Sequence, residues 1–509
     1  MKAATTVALA WLVATTASAQ IRLGPTDDVE AALNALSPGD EVILEDGLYV
    51  IDERFYVNVA GTAAMPIVIR AADGARPHFR QDSGQNIWDL DARFTVIRGL
   101  EFSGGSAGLR VQSAEDLTIE DCEIHDTGDV GLRMNDGGQT YLRVQILRNH
   151  IHDTSGTGEG MYLGCNGDAC RLADALIQGN YVHDTDNGVE QGDGIELKEG
   201  SYGCVIADNV VHDTNYPCIL GYTTLGNGPP NLVERNVVWA CGDAGIQWAA
   251  DATIRNNVVL RGGGNGGMAF QPHAAGDPQN LVIVHNTVVA PEADAISLRG
   301  VAGSVIVANN AVYSQSGRAI FVRDPHPMLV ITGNVGEGDT QGFSGGFTAS
   351  SMATDLTAAS YSGTIPNDVF PRAGGGLIAS GDPTHVPVDD FNRTDRMGVA
   401  DVGAYAFGDG TNPGWTFANE RKPLASGPAP TMDGGVPSAD AGPMGSVDAA
   451  VPPGTDGGSI SGRDASAVGA DAGPEGTSDG CGCHAARPGG ASLWMLALLL
   501  GGLVRRRLV

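Results

Sequence analysis

Lysine is nearly missing from this chain. It stands only at Lys2, Lys198 and Lys422, and arginine takes every other cationic position. Lys2 falls in an N-terminal leader and Lys422 in a tail, which leaves Lys198 as the one lysine expected in the folded body. A lone amine among guanidiniums points to a role that needs a group able to lose its proton, which arginine cannot do. Bases as a whole are scarce: 30 Lys and Arg stand against 60 Asp and Glu, a net charge of −30. That deficit argues against nucleic acid as a partner, because phosphate binding needs a basic face. It also repels an anionic polysaccharide unless calcium or a local arginine patch offsets the field. The eight cysteines include no zinc-type CxxC pair. No stretch of the body keeps a helical period.

What the chain does contain is a repeat. An asparagine recurs at Asn149, Asn180, Asn209, Asn236, Asn257, Asn286, Asn310 and Asn334, at spacings of 31, 29, 27, 21, 29, 24 and 24 residues, and all but the last are followed two residues later by a β-branched residue. Between these asparagines falls a second phrase, a small residue and then apolar, variable, apolar, as in Gly160-Met-Tyr-Leu163, Gly194-Ile-Glu-Leu197 and Gly245-Ile-Gln-Trp248. Both phrases have period two, the signature of short strands with one buried face. Irregular repeats of this length with glycine-rich turns predict an all-β chain, a parallel β-helix of about ten or more coils over residues 20–407. The asparagines are expected to form a structural ladder, each amide bonding the coils above and below.

The ends differ from the body. Residues 1–19 have a basic start, an apolar run and Ala17-Ser18-Ala19, the layout of a secretory leader. Export would let Cys165 and Cys170 close a small loop disulfide; Cys122, Cys204, Cys218 and Cys241 have no pairing that follows from sequence. Residues 408–480 are rich in Gly, Pro, Ala, Ser and Asp and are expected to be a disordered spacer. In residues 481–509 come Cys481 and Cys483, an apolar run over 493–504, and Arg505 to Arg507. The run is short for a span of roughly 20 residues. This layout resembles the myxobacterial carboxy-terminal sorting signal, which implies processing near Cys481 or Cys483 and retention at the membrane or cell envelope; an ordinary tail anchor is the alternative, and both place the body outside, where it is expected to be a monomer.

Residues 38–49 and 61–70 resemble the opening of secreted right-handed β-helix polysaccharide lyases of the alginate lyase and chondroitinase B type. Residues 389–396 and 401–405 resemble the segment that closes many such extracellular β-helices. The resemblance covers residues 26–407, with 26–36 expected as a capping helix. Ile195-Glu-Leu-Lys198, followed by Ile206-Ala-Asp-Asn209, resembles the lysine-bearing coil of those families. There the lysine is the base and an arginine on the next coil assists. Here the equivalent place on the next coil holds Tyr222.

Stacking the second phrase aligns two outward columns. One reads Arg133, Tyr162, Glu196, Leu220, Gln247, Ala269, Ser297, Phe321; the other reads Asn135, Gly164, Lys198, Tyr222, Ala249, Gln271, Arg299, Arg323. β-Elimination on a uronate removes the C5 proton, which is acidic only when the neighbouring carboxylate is neutralised. The expected roles are Lys198 as base, Tyr222 as proton donor and Arg133 as the supporting cation. Glu159, Asp193 and Glu196 are the candidate Ca2+ ligands. Tyr162, Gln247, Gln271, His273, Arg299 and Arg323 are the candidate contacts to an acidic polysaccharide, between loop walls at 164–175 and 222–230. A second reading is a non-catalytic glycan-binding or adhesion β-helix, marked by aromatics lining the groove and Lys198 locked to Glu196. A third is a glycoside hydrolase using paired carboxylates about 5–10 Å apart. Finally, His-Asp-Thr recurs at His125, His152, His183 and His212. It is expected at one turn, where two or more stacked histidines could bind a metal; the favoured reading is a stack of rings with Asp and Thr satisfying turn amides.

Overall fold

In a computed structural model, residues 20–424 are described, except 265, 274, 366 and 367. The expected leader, most of the expected spacer and the expected sorting signal lie outside the described residues. The described chain winds into a single sheet of 36 strands, and the strands of successive coils pair in parallel. One face alone carries thirteen strands in succession, from Gln20–Leu23 to Leu329–Thr332. Each coil runs from this face through a short turn, which holds an asparagine from Asn149 onward, to a second face, then through a loop to a third. The coil around Lys198 supplies Leu176–Gln178, Tyr181–Thr185 and Ile195–Leu197 in that order.

Period two sets the core. Ile177, Ile206, Val233, Ile254 and Ile283 stack inward from the first face, Val182, Val211 and Val238 from the second, and Ile195, Ile219, Ile246 and Ile296 from the third, all buried. A parallel coil stacks at about 4.8 Å per rung, so each inward side chain meets its equivalent in the next rung.

The asparagine ladder forms as expected. Asn209 Oδ1 accepts the backbone N–H of Asn180 at 2.9 Å, and Asn209 Nδ2 donates to Ile177 O and to Asn236 Oδ1 at 3.0 and 2.9 Å. The same three bonds recur along the series to Asn334. Cys122 N–H begins the ladder by donating to Asn149 Oδ1.

Four expectations change. The helix within residues 26–36 is only Val29–Leu33, started by Asp28 accepting from Ala31 N–H. The histidine triplets lie at strand ends, not in a turn: the strands are Glu123–Thr127, His150–Thr154, Tyr181–Thr185 and Val210–Thr214. Cys165–Cys170 is bridged as expected, and Cys218–Cys241 adds a second disulfide linking consecutive coils. Lastly, the body does not end at 407. Residues 408–424 return to its side, and Lys422 is buried, donating to Asp208 Oδ1 and to the carbonyls of Arg235 and Phe391. Lys198 is therefore not the only lysine in the folded body.

Asn236→Ala removes four buried hydrogen bonds in mid-ladder and takes away the partner of the Ile206 carbonyl and of the Asn209 backbone N–H. The expected cost is on the order of 3 kcal/mol, from about 1–3 kcal/mol per orphaned buried group. Urea unfolding checks this against Asn334→Ala at the end of the ladder, where the loss should be smaller.

Candidate active site

The third face carries both outward columns in the expected register. Arg133 pairs with Tyr162, Tyr162 with Glu196, Glu196 with Leu220, and Leu220 with Gln247. Lys198 follows directly on its strand, and its N–H bonds to Leu163 O. Gly164 makes room for it. It sits at φ +101°, and a Cβ there would lie 2.9 Å from Lys198 Cβ.

Three carboxylates converge at this point. Glu159, Asp193 and Glu196 each bring an oxygen to within 4.8 Å of the others, and all three side chains are buried. Both oxygens of Glu159, Oδ1 of Asp193 and Oε2 of Glu196 are buried without a hydrogen-bond partner. Burial, reinforced by the Glu196 charge, raises the Glu159 carboxyl to about 7 and pushes Asp193 well above the usual carboxylate range.

Lys198 is the cation beside them. Its Nζ lies 2.5 Å from Glu196 Oε1 and 4.4 and 5.3 Å from the ring centres of Tyr162 and Tyr222. Burial opposes the ammonium charge, but Glu196 outweighs it and holds the group above its ordinary value. Tyr222 donates to the same Glu196 oxygen at 2.9 Å; burial and that carboxylate raise its phenol. Both groups expected to exchange protons thus converge on Glu196. Lys198 and Tyr222 are only 6 and 8% exposed, so the columns are outward but covered.

The structure gathers some of the remaining candidates and separates others. His273 packs on Tyr222 with ring centres 4.3 Å apart and Nδ1 3.8 Å from Glu199 Oε1. Gln271 donates to Gln247 at 3.4 Å. Arg133 does not join the lysine; it pairs with Asp129 at 3.2 Å. Arg323 pairs with Asp324. Arg299 and Arg323 stand four and five coils beyond Lys198, about 19–24 Å at one strand spacing per coil. The loop walls are tied together: Asn227 Nδ2 donates to Asp168 and to Gly200 O. Trp248 is core, and Trp239 stacks on His212, so neither lines this face.

Glu199 is the member that sequence reasoning left out of the site. It is buried, with Oε2 unpartnered. Its position beside the lone lysine was the available signal. A pair of hydrolytic carboxylates needs a gap of roughly 5–10 Å, whereas these oxygens crowd into one cluster.

The model described as "Pel9A-like, right handed beta helix region" matches residues 13–199, and "Right handed beta helix region" matches residues 173–312. The fold class is thus the right-handed parallel β-helix. No curated protein sequence matches. Among solved structures, an alginate lyase from Paenibacillus sp. str. FPU-7 is 18% identical, covering 64% of this chain and 99% of that one, with a TM-score of 0.39. The PL6 family alginate lyase AlyGC is 18% identical over 67% of this chain and 54% of that one, with a TM-score of 0.44, so the chain spans about half of its length. Pectate lyase Pel9A is 14% identical over 77% and 97%, with a TM-score of 0.40. None of these likenesses carries chemistry from one chain to another.

Crowded, buried like charges destabilise the fold that holds them. Asp193→Asn should therefore raise stability by about 1 kcal/mol, within the usual gain for relieving a strained functional site. Thermal melting in excess chelator checks this; a lower melting temperature would mean that the carboxylate is satisfied within the fold.

Proposed function

We propose that this protein acts outside the cell on a uronate-containing polysaccharide, which it cleaves by β-elimination on the Lys198 face with calcium bound beside that lysine. The observation that carries the reading is the set of four orphaned, buried carboxylate oxygens of Glu159, Asp193 and Glu196 around a single amine. Hard oxygen donors in excess over cationic partners fit Ca2+, and Glu159, Asp193 and Glu196 are the residues that would hold it. When bound, the ion would supply the positive charge that offsets both these carboxylates and that of a uronate, which makes the C5 proton removable. The match of residues 13–199 to the Pel9A-like β-helix model supports the reading. So does the resemblance of the Lys198 coil to the lysine-bearing coil of β-helix lyases.

The residues then divide the work. Lys198 takes the C5 proton, the C4–O bond breaks, a C4–C5 double bond forms, and the leaving oxygen collects a proton from Tyr222. Tyr162, His273, Gln247 and Gln271 hold neighbouring sugars. In the protein by itself Glu196 keeps Lys198 protonated, so the amine becomes a base only when the Glu196 charge is engaged elsewhere. The two disulfides and the leader-like N-terminus support an oxidising, extracellular site of action. Surface attachment through the C-terminal segment belongs to the same proposal.

A second reading is a non-catalytic glycan binder. The Lys198–Glu196 pair between two tyrosine rings favours it.

The test is the absorbance of unsaturated uronate during incubation of residues 20–424 with alginate, pectate or glycosaminoglycans, with calcium or with chelator. The expected outcome is product on one substrate only with calcium. Lys198→Ala should lose about 1,000-fold in rate, within the usual worth of a positioned base. Binding to a glycan without product, unchanged in Lys198→Ala, would establish the binder instead.

A further inference from the structure

A different donor set lies on the second face, where the strands Glu123–Thr127, His150–Thr154 and Tyr181–Thr185 run side by side. His150 and His152 are two residues apart on one strand and therefore project to the same side. In register, His150 stands between Glu123 and Tyr181, and His152 stands between His125 and His183. Two columns thus bring three imidazoles together. One ring nitrogen from each of His150, His152 and His183 lies within 4.8 Å of the others. His150 Nε2 and His183 Nε2 are 2.8 Å apart, and His152 Nε2 lies 3.2 Å from Glu123 Oε1.

The triplet repeat fixes which nitrogen faces the cluster. Asp153 and Asp184 each adopt φ 52° and turn a carboxylate back onto the preceding ring, 2.7 Å from Nδ1 of His152 and of His183. An ionised carboxylate only accepts hydrogen bonds, so both Nδ1 atoms carry protons; His183 Nε2 presents a lone pair, while His152 Nε2 donates to Glu123 Oε1 and would give up that proton to an ion. A carboxylate behind the imidazole, with the far nitrogen free, is the arrangement that orients a metal-ligating histidine and raises its basicity. The rings are preset by stacking: His152 and His183 lie parallel at 5.1 Å. The three side chains remain 13–24% exposed, so an ion can reach them. Arg76 occupies the other oxygen of Glu123, which leaves Oε1 as a single donor.

We propose that His150, His152 and His183, with Glu123 Oε1 as the nearest fourth donor, form a binding site for a divalent transition-metal ion of the Zn2+ class. Imidazole donors select Zn2+, Cu2+ or Ni2+ over calcium, whereas the carboxylates beside Lys198 select the reverse. The ion would tie three successive coils together. This inference is independent of the reading of the Lys198 face. The next coil bounds the site on its C-terminal side. His212 repeats the aspartate clamp, but its Nε2 meets the Tyr181 hydroxyl at 3.0 Å instead of a second imidazole.

The test uses residues 20–424, stripped with chelator and titrated with Zn2+ by calorimetry and with Co2+ by visible absorption, in the presence of excess calcium. One equivalent of Zn2+ should bind, and Co2+ should give the visible bands of a nitrogen-ligated ion. His150→Phe, which keeps a ring against Tyr181, should weaken binding on the order of 100-fold; Asp184→Asn, which keeps every imidazole, should weaken it about 10-fold. His212→Phe should leave it unchanged. Absence of Zn2+ binding at micromolar concentration, or equal binding by His150→Phe, would overturn the proposal. Should His150→Phe fail to fold, Asp184→Asn decides it alone: undiminished affinity overturns the site.

Discussion

From Asn149 onward each coil of this solenoid passes a buried asparagine to the next, and the register of the coils that carry the two clusters follows from that contact. Asn149 through Asn334 satisfy turn N–H and C=O groups that would otherwise be buried without partners, a cost the fold cannot carry rung after rung. Because the ladder pins the turn after the first face, coils of 21 to 31 residues can stack without shifting the columns. The variation goes into loops, and two of those loops, held together through Asn227 and Asp168, wall the Lys198 strand.

The two faces beyond the ladder use that register for opposite chemistries. On one, stacking collects carboxylates whose charges the body leaves uncompensated. On the other, it collects imidazoles, and those of His125, His152, His183 and His212 are each clamped by the aspartate that follows. Both result from identical positions in successive coils standing one strand spacing apart, so a local triplet or pair becomes a cluster without any long-range design. The two described lysines show how strongly surroundings decide behaviour. Glu196 outweighs burial at Lys198 and raises its ammonium. At Lys422, burial prevails and Arg235 and Arg393 add to it, so the group falls to about 8 despite Asp208.

Much of this was legible in the chain. The asparagine spacing, the period-two phrases and the column Arg133, Tyr162, Glu196, Leu220, Gln247 follow from one-dimensional repetition, because a solenoid converts sequence offset directly into stacking order. The carboxylate cluster was legible for the same reason, its members being on adjacent coils. What misled was composition. A Gly- and Pro-rich stretch after 407 reads as spacer, yet its first residues carry Lys422, Trp415 and Phe417 back onto the body. The pairing of Cys218 with Cys241 was equally hidden, since a cysteine pair depends on loop paths that repetition does not specify.

The fold class, the ladder and the membership of each column are written in the chain, since each depends on neighbours at a fixed offset along it. What those side chains do to one another was set by folding. It closed Lys198 and Tyr222 onto Glu196, left both Glu159 oxygens and Asp193 Oδ1 without hydrogen-bond partners, drew His273 in and kept Arg133 with Asp129. Those outcomes depend on rotamers, loop cover and the loss of water around charge, and none of these repeats with the period of the chain.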